Sequence, residues 1–275
     1  MTPSPFKNKI AIVTGHTGFK GGWLAIWLSQ LGAEVHGLAL DPPDGPNLFD
    51  AACVAESLTS DMRVDLADRA AVERVLDDVR PWAVFHLAAQ VEVGVGMQNP
   101  YLTFETNIRG TYTLLEAIRL NKDSIESAVF ASTDKAYGSY ALDKMPYKED
   151  YPLIPKYPYD TSKACADMLA QSYTNELYKL PLVITRFSNI YGPGQLNFSA
   201  LIPDAITSAL GYSNFMPRSD GSMIRDFLFV EDVSKLYTTI AKSLYNNANN
   251  LKGEVFNAGT NDGKTVRYVI EKIYT

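Results

Sequence analysis

The order of three elements at the N-terminus is the strongest constraint on the fold of this chain. Residues 9–13, Lys-Ile-Ala-Ile-Val, form a short run rich in the β-branched side chains expected of a buried parallel strand. A glycine-rich segment follows and leads into an apolar helix over 23–31. Gly15, Gly18 and Gly21 allow the backbone to turn sharply and to approach a pyrophosphate, whose charge is stabilised at a helix N-terminus. A tight turn also needs glycine, but the flanking strand and helix favour a dinucleotide-binding βαβ unit.

The alternation of strand and helix continues along most of the chain. Further apolar runs predict strands near 9–14, 34–40, 57–64, 82–87, 125–132 and 181–187, with helices between them. This alternation is typical of an α/β fold with a doubly wound parallel sheet, the Rossmann arrangement. Beyond residue 188 the elements become shorter and turn residues more frequent. We therefore predict a dinucleotide-binding domain over 1–188 and a smaller C-terminal substrate-binding lobe over 189–275.

An acidic residue follows the second predicted strand. Asp41 lies twenty residues after Gly21 and ends the apolar run of that strand. A carboxylate at this position accepts hydrogen bonds from an adenosine ribose diol and repels a 2′-phosphate, which favours NAD over NADP. The alternative is that Asp41 only caps the turn before Pro42. The sequence thus predicts NAD as the cofactor.

Two later motifs carry groups that can move protons. A Ser-Thr-Asp-Lys tetrapeptide at 132–135 follows a predicted buried strand, and Tyr159 and Lys163 are four residues apart in a predicted helix. Residues at this spacing share a helix face, so the Lys163 ammonium can stabilise a Tyr159 phenolate and lower its pKa from ~10 toward neutrality. Tyr159 is then a candidate base for a sugar or alcohol hydroxyl. The same spacing also occurs by chance in many helices.

The tetrapeptide offers more chemistry than the oxidation of an alcohol requires. The hydroxyls of Ser132 and Thr133 can hold a substrate oxygen at the strand end. Asp134 and Lys135 add an acid and a base that a simple oxidation does not need. The motif therefore indicates a reaction with at least one further proton transfer.

Composition excludes several other classes of function. The net charge of −6 argues against general binding to nucleic acids or anionic membranes, and no apolar run reaches the length of a transmembrane helix. Two cysteines, Cys53 and Cys165, give no disulfide framework, as expected of a cytoplasmic protein. Histidines 16, 36 and 86 lack the spacing of metal ligands, so we predict no metal site, and His86 is interpreted as a packed core residue.

Together these motifs resemble the extended short-chain dehydrogenase/reductases, in the NAD-dependent epimerase/dehydratase family. Further matching segments are Asp65-Leu66, 86–90, Asn107, 186–194 and 225–233. The resemblance implies that the following residues bind NAD: Gly15, Thr17, Gly18, Phe19, Lys20, Gly21, Asp41, Asp65, Leu66, Leu87, Ala88, Ala89, Gln90, Tyr159 and Lys163. For Asp65 the alternative is a helix N-cap, and Asn107 is interpreted as a structural brace.

The resemblance also implies a nucleotide-sugar substrate. We predict that Ser132, Asn189 and Arg225 bind it, because arginine matches phosphate oxygens and Asn189 follows a strand end. The alternative for Arg225 is a surface ion pair with Asp226 or Glu231. Lys156 and Arg218 are weaker candidates for the diphosphate.

The resemblance leaves more than one activity open. The glycine-rich segment and Thr133-Asp134-Lys135 resemble nucleoside-diphosphate-hexose 4,6-dehydratases with a CDP-glucose-like substrate, whereas 189–194 and 225–233 are closer to sugar 4-epimerases. In a dehydratase, Tyr159 would take the proton of the C4 hydroxyl, Lys135 would remove the C5 proton and Asp134 would protonate the leaving C6 hydroxyl. A sugar 4-epimerase is the alternative, and a cofactor-bound regulatory protein without turnover is a second one.

Assembly is predicted from the resemblance alone. In relatives, the helix that carries the Tyr/Lys pair and the one near 100–120 build a dimer interface, so a homodimer is expected. Relatives usually continue some tens of residues further, so the chain is also expected to lack a C-terminal segment.

Overall fold

A seven-stranded parallel sheet forms the centre of the structure, a computed structural model that describes residues 4–217 and 219–275. The strands are β1 (Ile10–Thr14), β2 (Glu34–Ala39), β3 (Ser60–Arg63), β4 (Ala83–His86), β5 (Ser127–Ala131), β6 (Leu182–Phe187), β7 (Asn189–Tyr191), β8 (Ile224–Arg225), β9 (Phe227–Phe229), β10 (Val255–Ala258) and β11 (Lys264–Thr265). The order in the large sheet is β10-β6-β5-β4-β1-β2-β3, and every neighbouring pair is parallel. The predicted doubly wound α/β fold is confirmed.

Helices cover both faces of this sheet. They are α1 (Phe19–Gln30), α2 (Leu48–Ala51), α3 (Arg69–Val79), α4 (Val93–Gln98), α5 (Pro100–Phe104), α6 (Gly110–Leu120), α7 (Pro158–Ser172), α8 (Leu201–Ala209), α9 (Val230–Asn246), α10 (Ala248–Leu251) and α11 (Val266–Tyr274). A π-helical turn, Glu105–Arg109, joins α5 to α6, and short 3-10 turns occur at Val54–Ser57, Asp134–Tyr137 and Leu142–Lys144. Among the described residues, no helix has the length and apolar character needed to cross a membrane.

The core consists of two apolar layers, one on each face of the sheet. Val13 packs with Leu24 of α1 and Tyr237 of α9, whereas its neighbour Ile12 packs with Leu114 of α6 on the opposite face. Successive side chains of a strand point to opposite faces, so a strand covered on both faces needs an unbroken apolar run. This requirement explains why the sequence of β1 lacks the polar alternation of a half-exposed strand.

The seventh strand was not among the six predicted from the sequence. β10 pairs with β6, and α9 packs on the same face of the sheet as α1. The segment 189–275 therefore supplies one strand and one covering helix to the parallel sheet. β10 escaped prediction because it is a four-residue edge strand whose residues are all half-buried, which gives no long apolar run.

The C-terminal ends of the sheet strands open onto a cavity of about 790 Å³. Two small sheets lie next to it, one of the parallel strands β7 and β9 and one of the antiparallel strands β8 and β11. Ligands of open α/β sheets bind at this edge, where the strand order changes direction. The topology therefore places the candidate site in this cavity.

Candidate active site

The glycine-rich segment forms a backbone cradle at the start of α1. Gly15 has φ +76°, and a Cβ at this position would lie 2.8 Å from backbone atoms of Ala88. A Cβ at Gly21 would collide with the carbonyl of Gly15, and the amide of Gly18 donates to that same carbonyl at 3.0 Å. The loop can therefore pack only with glycine at 15 and 21. A tight loop that opens a helix and lines the cavity fits the pyrophosphate of a dinucleotide.

The predicted cofactor residues mostly lie around this cradle. Thirteen of the fifteen line the cavity: Gly15, Thr17, Gly18, Phe19, Lys20, Gly21, Asp65, Leu66, Leu87, Ala88, Ala89, Tyr159 and Lys163. Gln90 and Asp41 do not. Asn107 binds both backbone groups of Gln90 and donates to the hydroxyl of Ser162 at 2.9 Å, so it braces the loop after β4 against α7.

Asp41 lies at the rim, beside a cation that the sequence analysis missed. The Asp41 side chain is 88% exposed, and its Oδ1 is 3.4 Å from Nε of Arg63 at the end of β3. Arg63 also donates to the carbonyl of Leu40 and to the carboxylate of Asp61. Arginine near the ribose can accommodate a 2′-phosphate. The positive charge of Arg63 therefore opposes the repulsion of the NADP 2′-phosphate that was predicted for Asp41.

Asp65 does not cap helix α3. Its Oδ1 accepts a hydrogen bond from the amide of Ala67 at 2.8 Å, and the N-cap is Asp68, which accepts from Ala71 at 3.1 Å. The alternative interpretation of Asp65 as the N-cap is therefore wrong. Its side chain fixes a turn that lines the cavity.

Tyr159 and Lys163 lie buried on α7, facing the end of β5. Nζ of Lys163 donates to the carbonyl of Ala131 at 2.7 Å. Burial and the positive charge of Lys20 lower the pKa of Lys163 to about 7, while Asp167 opposes this shift. Lys20, in the first turn of α1, has its own pKa lowered to about 8 by burial. Two partly neutral lysines thus share the floor of the cavity.

The electrostatics of Tyr159 differ from the sequence prediction. Burial raises the pKa of the phenol, the carboxylates of Asp134 and Asp160 raise it further, and the hydroxyl of Thr133 acts in the opposite direction. The predicted lowering by Lys163 is therefore wrong for the protein by itself. The prediction fails because the Lys163 side chain is held by the Ala131 carbonyl, whereas the Tyr159 phenol loses its hydration on burial.

The turn after β5 places an acid and a base at the cavity wall. All four residues from Ser132 to Lys135 line the cavity. Thr133 caps the 3-10 turn Asp134–Tyr137 and donates to the Asp134 carboxylate at 3.2 Å. Burial raises the pKa of Asp134, against the charges of Lys135 and Arg225, which favours a protonated carboxyl. Lys135 itself is exposed to the cavity solvent.

A second carboxyl stands beside this turn. Burial raises the pKa of Asp160, the residue after Tyr159, and Lys135 opposes the shift. Sequence reasoning missed Asp160 because its proximity to Lys135 arises only when α7 packs on the 134–137 turn. The signal available was its position between Tyr159 and Lys163.

Two serine hydroxyls of the cavity wall have no partner. Within the described parts of the chain, Oγ of Ser132 and Oγ of Ser188 are buried and form no hydrogen bond. Ser132 follows β5 and Ser188 follows β6, so both hydroxyls lie at strand ends where ligands bind. Ser188 was not singled out from the sequence, because a single serine after a strand has no distinctive signal.

The predicted substrate residues divide into two groups. Asn189 lines the cavity, and its Nδ2 donates to the carbonyl of Asp226 at 3.1 Å. Arg225 is exposed on β8 outside the cavity lining, where it donates to the carbonyl of Ile224. The alternative ion pair of Arg225 is wrong, since Asp226 accepts from the amides of Thr260 and Asn261.

Glu231, the other partner considered for Arg225, forms its ion pair with Lys235 instead. Lys156 is exposed and does not line the cavity, and Arg218 lies outside the described residues.

The histidines are held by structural hydrogen bonds. Burial lowers the pKa of His86 to about 3, and its ring nitrogens contact the hydroxyls of Thr14 at 2.8 Å and Thr111 at 3.2 Å. His16 contacts the Asp61 carboxylate at 2.8 Å. Among the residues that the structure describes, no group of three potential ligands is arranged to hold a metal ion.

A glycine cradle, a buried Tyr/Lys pair and strand-end hydroxyls above a parallel sheet define a dinucleotide-dependent enzyme of the short-chain dehydrogenase/reductase type. The chain belongs to the NAD dependent epimerase/dehydratase family, whose model matches residues 11–259. This membership confirms the predicted family and NAD as the predicted cofactor.

Two similar curated proteins are both nucleotide-sugar 4,6-dehydratases. The chain is 32% identical to a CDP-glucose 4,6-dehydratase of Salmonella typhimurium over 98% of its own length and 77% of that protein. It is 36% identical to a dTDP-glucose 4,6-dehydratase of Neisseria gonorrhoeae over 77% of its length, and spans only 61% of that relative.

Solved structures of similar proteins include both a 4-epimerase and a 4,6-dehydratase. A UDP-glucose 4-epimerase of Thermotoga maritima with UDP-glucose superposes with a TM-score of 0.84 at 26% identity, over 96% of this chain and 81% of that one. The dTDP-glucose 4,6-dehydratase DesIV of Streptomyces venezuelae, with NAD bound, has a TM-score of 0.81 at 28% identity, over 96% and 80%.

Proposed function

We propose that the protein is a nucleoside-diphosphate-hexose 4,6-dehydratase that acts on a CDP-glucose-like substrate and recycles its NAD. The observation that carries this proposal is the Asp134 carboxyl, whose pKa is raised by burial, next to Lys135 in the cavity-lining turn on which the Tyr159 helix packs. Epimerisation at C4 needs only the Tyr/Lys pair and a hydroxyl. A carboxyl whose pKa is raised by burial can give its proton to a leaving group, a step that elimination needs and epimerisation does not.

Oxidation at C4 begins with Tyr159. Its phenolate takes the proton of the C4 hydroxyl, while the hydroxyls of Thr133 and Ser132 hold the same oxygen. NAD, when bound, supplies the oxidant at C4 and the reductant that restores the electrons at C6. With the cofactor bound, the positive charge of its ring and of a protonated Lys163 would counteract the burial that raises the pKa of Tyr159. The resulting 4-ketone makes the C5 hydrogen acidic.

Elimination then uses the turn after β5. In its neutral amine form Lys135 removes the C5 proton and later returns it to C5, while Asp134 gives its proton to the departing C6 hydroxyl, which leaves as water. The raised pKa of Asp134 supports this donor role. Because the electrons taken at C4 return at C6, the net reaction is a loss of water without redox change.

The diphosphate of the substrate would lie between Asn189 and Arg225. Nδ2 of Asn189 uses one hydrogen for the Asp226 carbonyl, and its second hydrogen can donate to a phosphate oxygen. Arg225 is outside the lining, but its positive charge opposes the rise that burial causes in the pKa of the cavity-lining Asp134, which supports a role for it near the site. A planar guanidinium that swings onto phosphate oxygens would close the site over the sugar.

Mass analysis of products separates the candidate functions. The protein is incubated with NAD and CDP-glucose, and separately with UDP-glucose. Loss of one water supports the dehydratase, an isobaric product supports the 4-epimerase, and an unchanged substrate with tightly bound NAD would indicate a regulatory protein. The epimerase is retained as second candidate because epimerases share this fold closely. The intact Tyr159 and Lys163 argue against loss of turnover.

We also propose a cytoplasmic homodimer. Tyr101 and Leu102 of α5, Tyr112 of α6 and Met168 of α7 are large apolar side chains exposed on the helices expected at the interface. Exposed apolar side chains clustered on neighbouring helices indicate a binding surface. Light scattering should give twice the mass of one chain, and Tyr101→Glu should lower it. Two unpaired cysteines, Cys53 and Cys165, support the reducing compartment.

A further inference from the structure

A buried ion pair fastens α7 to β6 behind the cavity. Nε and Nη2 of Arg186 donate to the two carboxylate oxygens of Asp167 at 2.8 and 2.9 Å, and the side chains are 3% and 0% exposed. Asp167 lies one turn after Lys163 on the helix that carries Tyr159. Two parallel hydrogen bonds from one edge of the guanidinium fix the direction of the Asp167 carboxylate as well as its distance, so the contact orients the helix against β6.

The same guanidinium also holds the turn that carries Asp134. Nη1 of Arg186 donates to the hydroxyl of Tyr137 at 2.9 Å, and its carbon lies 4.7 Å from the ring centroid. Tyr137 is the last residue of the 3-10 turn and is fully buried. Its hydroxyl donates in turn to Oδ1 of Asn257 on β10 at 2.8 Å. One side chain thus connects α7, the 134–137 turn and the edge strand.

Neither Arg186 nor Tyr137 lines the cavity, so neither can contact substrate directly. A buried charge pair is also a poor source of stability, since apolar residues of similar volume often serve equally well. What the network supplies is geometry. The two chemical groups of the site stand on separate elements, and the backbone between Lys135 and Tyr159 does not by itself fix their distance.

We propose that Arg186 and Tyr137 are positioning residues that hold the Asp134-Lys135 turn at its working distance from Tyr159. The inference rests on the proposed function, because it assigns Tyr159 to oxidation at C4 and the turn to the elimination. Loosening the turn should therefore slow elimination and spare oxidation.

Replacement of Tyr137 by Phe tests this with little disturbance. Tyr137→Phe keeps the ring that stacks on Tyr147 at 4.8 Å and removes only the hydroxyl between Arg186 and Asn257. After addition of CDP-glucose to the NAD-loaded enzyme, the absorbance of reduced NAD should rise at the wild-type rate, within about twofold. The release of dehydrated product should fall about ten- to a hundredfold, as expected for a small misplacement of reacting groups. Reduced NAD should then accumulate.

Tyr140→Phe is the matched control. It removes a tyrosine hydroxyl that donates to the carbonyl of Pro152 at 2.8 Å in the same loop, away from Arg186. Both half-reactions should keep wild-type rates. Arg186→Lys is a second test: a single ammonium can face Asp167 but cannot also hold Tyr137, so the same selective loss of elimination is expected.

Three results would overturn the positioning role. Elimination at the wild-type rate in Tyr137→Phe is the first. A parallel fall of both half-reactions together with a lower melting temperature is the second, because it indicates general destabilisation. The third is an isobaric product from the wild type, which overturns the proposed dehydratase as well. A wild type that releases water while Tyr137→Phe behaves normally refutes the positioning role alone.

Discussion

The charge state of the lysines at the cavity floor decides how the free protein responds to pH. Lys163 has a pKa near 7 when folded, against an ordinary value of 10.5. Its contact with the Ala131 carbonyl requires no charge, so the neutral amine is tolerated. Binding of an anionic diphosphate beside Lys20 and Lys163 would favour protonation of both. Cofactor binding and protonation are thereby linked at this site.

Replacement of Lys163 by Met should change the pH dependence of stability. Between pH ~7 and ~10.5 the unfolded chain binds the proton that the folded chain has lost, so stability of the ligand-free protein rises with pH in this window. Lys163→Met should remove the part of this rise that Lys163 contributes, leaving the smaller part from Lys20, and should stabilise the protein most below pH ~7, by at most ~5 kcal/mol at ~1.4 kcal/mol per pKa unit. Urea unfolding at pH ~6.5 and ~9.5 measures it. Parallel curves for the two proteins would contradict the linkage.

Replacement of Tyr159 by Phe should abolish oxidation at C4. Loss of a general base lowers the rate by about 10²–10⁴-fold, whereas NADH affinity should stay within about twofold. The rise of absorbance after adding CDP-glucose to the NAD-loaded enzyme measures the step. Tyr157→Phe, an exposed tyrosine at the N-cap of the same helix, serves as control. A near-normal rate in Tyr159→Phe would place the oxidation elsewhere.

The preference for NAD should depend on both Asp41 and Arg63. Asp41→Ala removes the carboxylate and leaves the guanidinium beside the ribose, so NADPH affinity should rise relative to NADH. Because Asp41 is largely exposed, the change should be small, ~1 kcal/mol or about fivefold. Arg63→Ala should move the preference in the opposite direction. Fluorescence titration with both reduced cofactors measures it, and an unchanged ratio in Asp41→Ala would remove Asp41 from the ribose site.

At the scale of elements, the start of α1 combines two different demands for glycine. Gly21 is needed because a side chain would strike the loop itself, whereas a Cβ at Gly18 meets nothing closer than 3.4 Å in the protein. Gly18 lines the cavity and is exposed to it. Gly21 is therefore required for the loop to pack, whereas Gly18 leaves space for a ligand.

The two glycines should respond differently to alanine. Gly21→Ala should lower the free energy of unfolding by about 1–3 kcal/mol through overpacking and weaken NAD binding as a consequence. Gly18→Ala should leave the unfolding free energy unchanged and weaken NAD binding alone. Chemical denaturation and NADH titration of both variants measure these effects. Equal stability of the two variants would refute the assignment.

A feature of this protein could be predicted from the sequence when its physical cause lies within one short segment. The central strands were predicted because burial on both faces demands unbroken apolar runs, and the cradle was predicted because its glycines are neighbours in sequence. Arg63 and Ser188 were missed because their roles arise from contacts between distant segments. The direction of the Tyr159 pKa shift was wrong for the same reason, since burial depends on the whole fold.

At the scale of the whole molecule, the sheet is assembled from both ends of the chain. Tyr237 of α9 stacks on Phe187 of β6 at 5.1 Å, and Trp27 of α1 donates to the hydroxyl of Thr238. The predicted division at 188/189 therefore remains a proposal about which segment binds which ligand. The hydrophobic core does not divide at this position, because α9 packs on α1 and β6.

A fragment of residues 1–188 should not fold cooperatively. Without α9 and β10, the face formed by Leu24, Leu28 and Phe187 loses its apolar cover, and β6 becomes an unpaired edge. A chain ending at Asn261 should keep a cooperative transition, because it retains both elements and loses only β11 and α11, which has no buried residue. Thermal unfolding followed by circular dichroism compares the two. A sharp transition in the shorter fragment would show that residues 1–188 form an independent domain after all, and that α9 is an accessory to it.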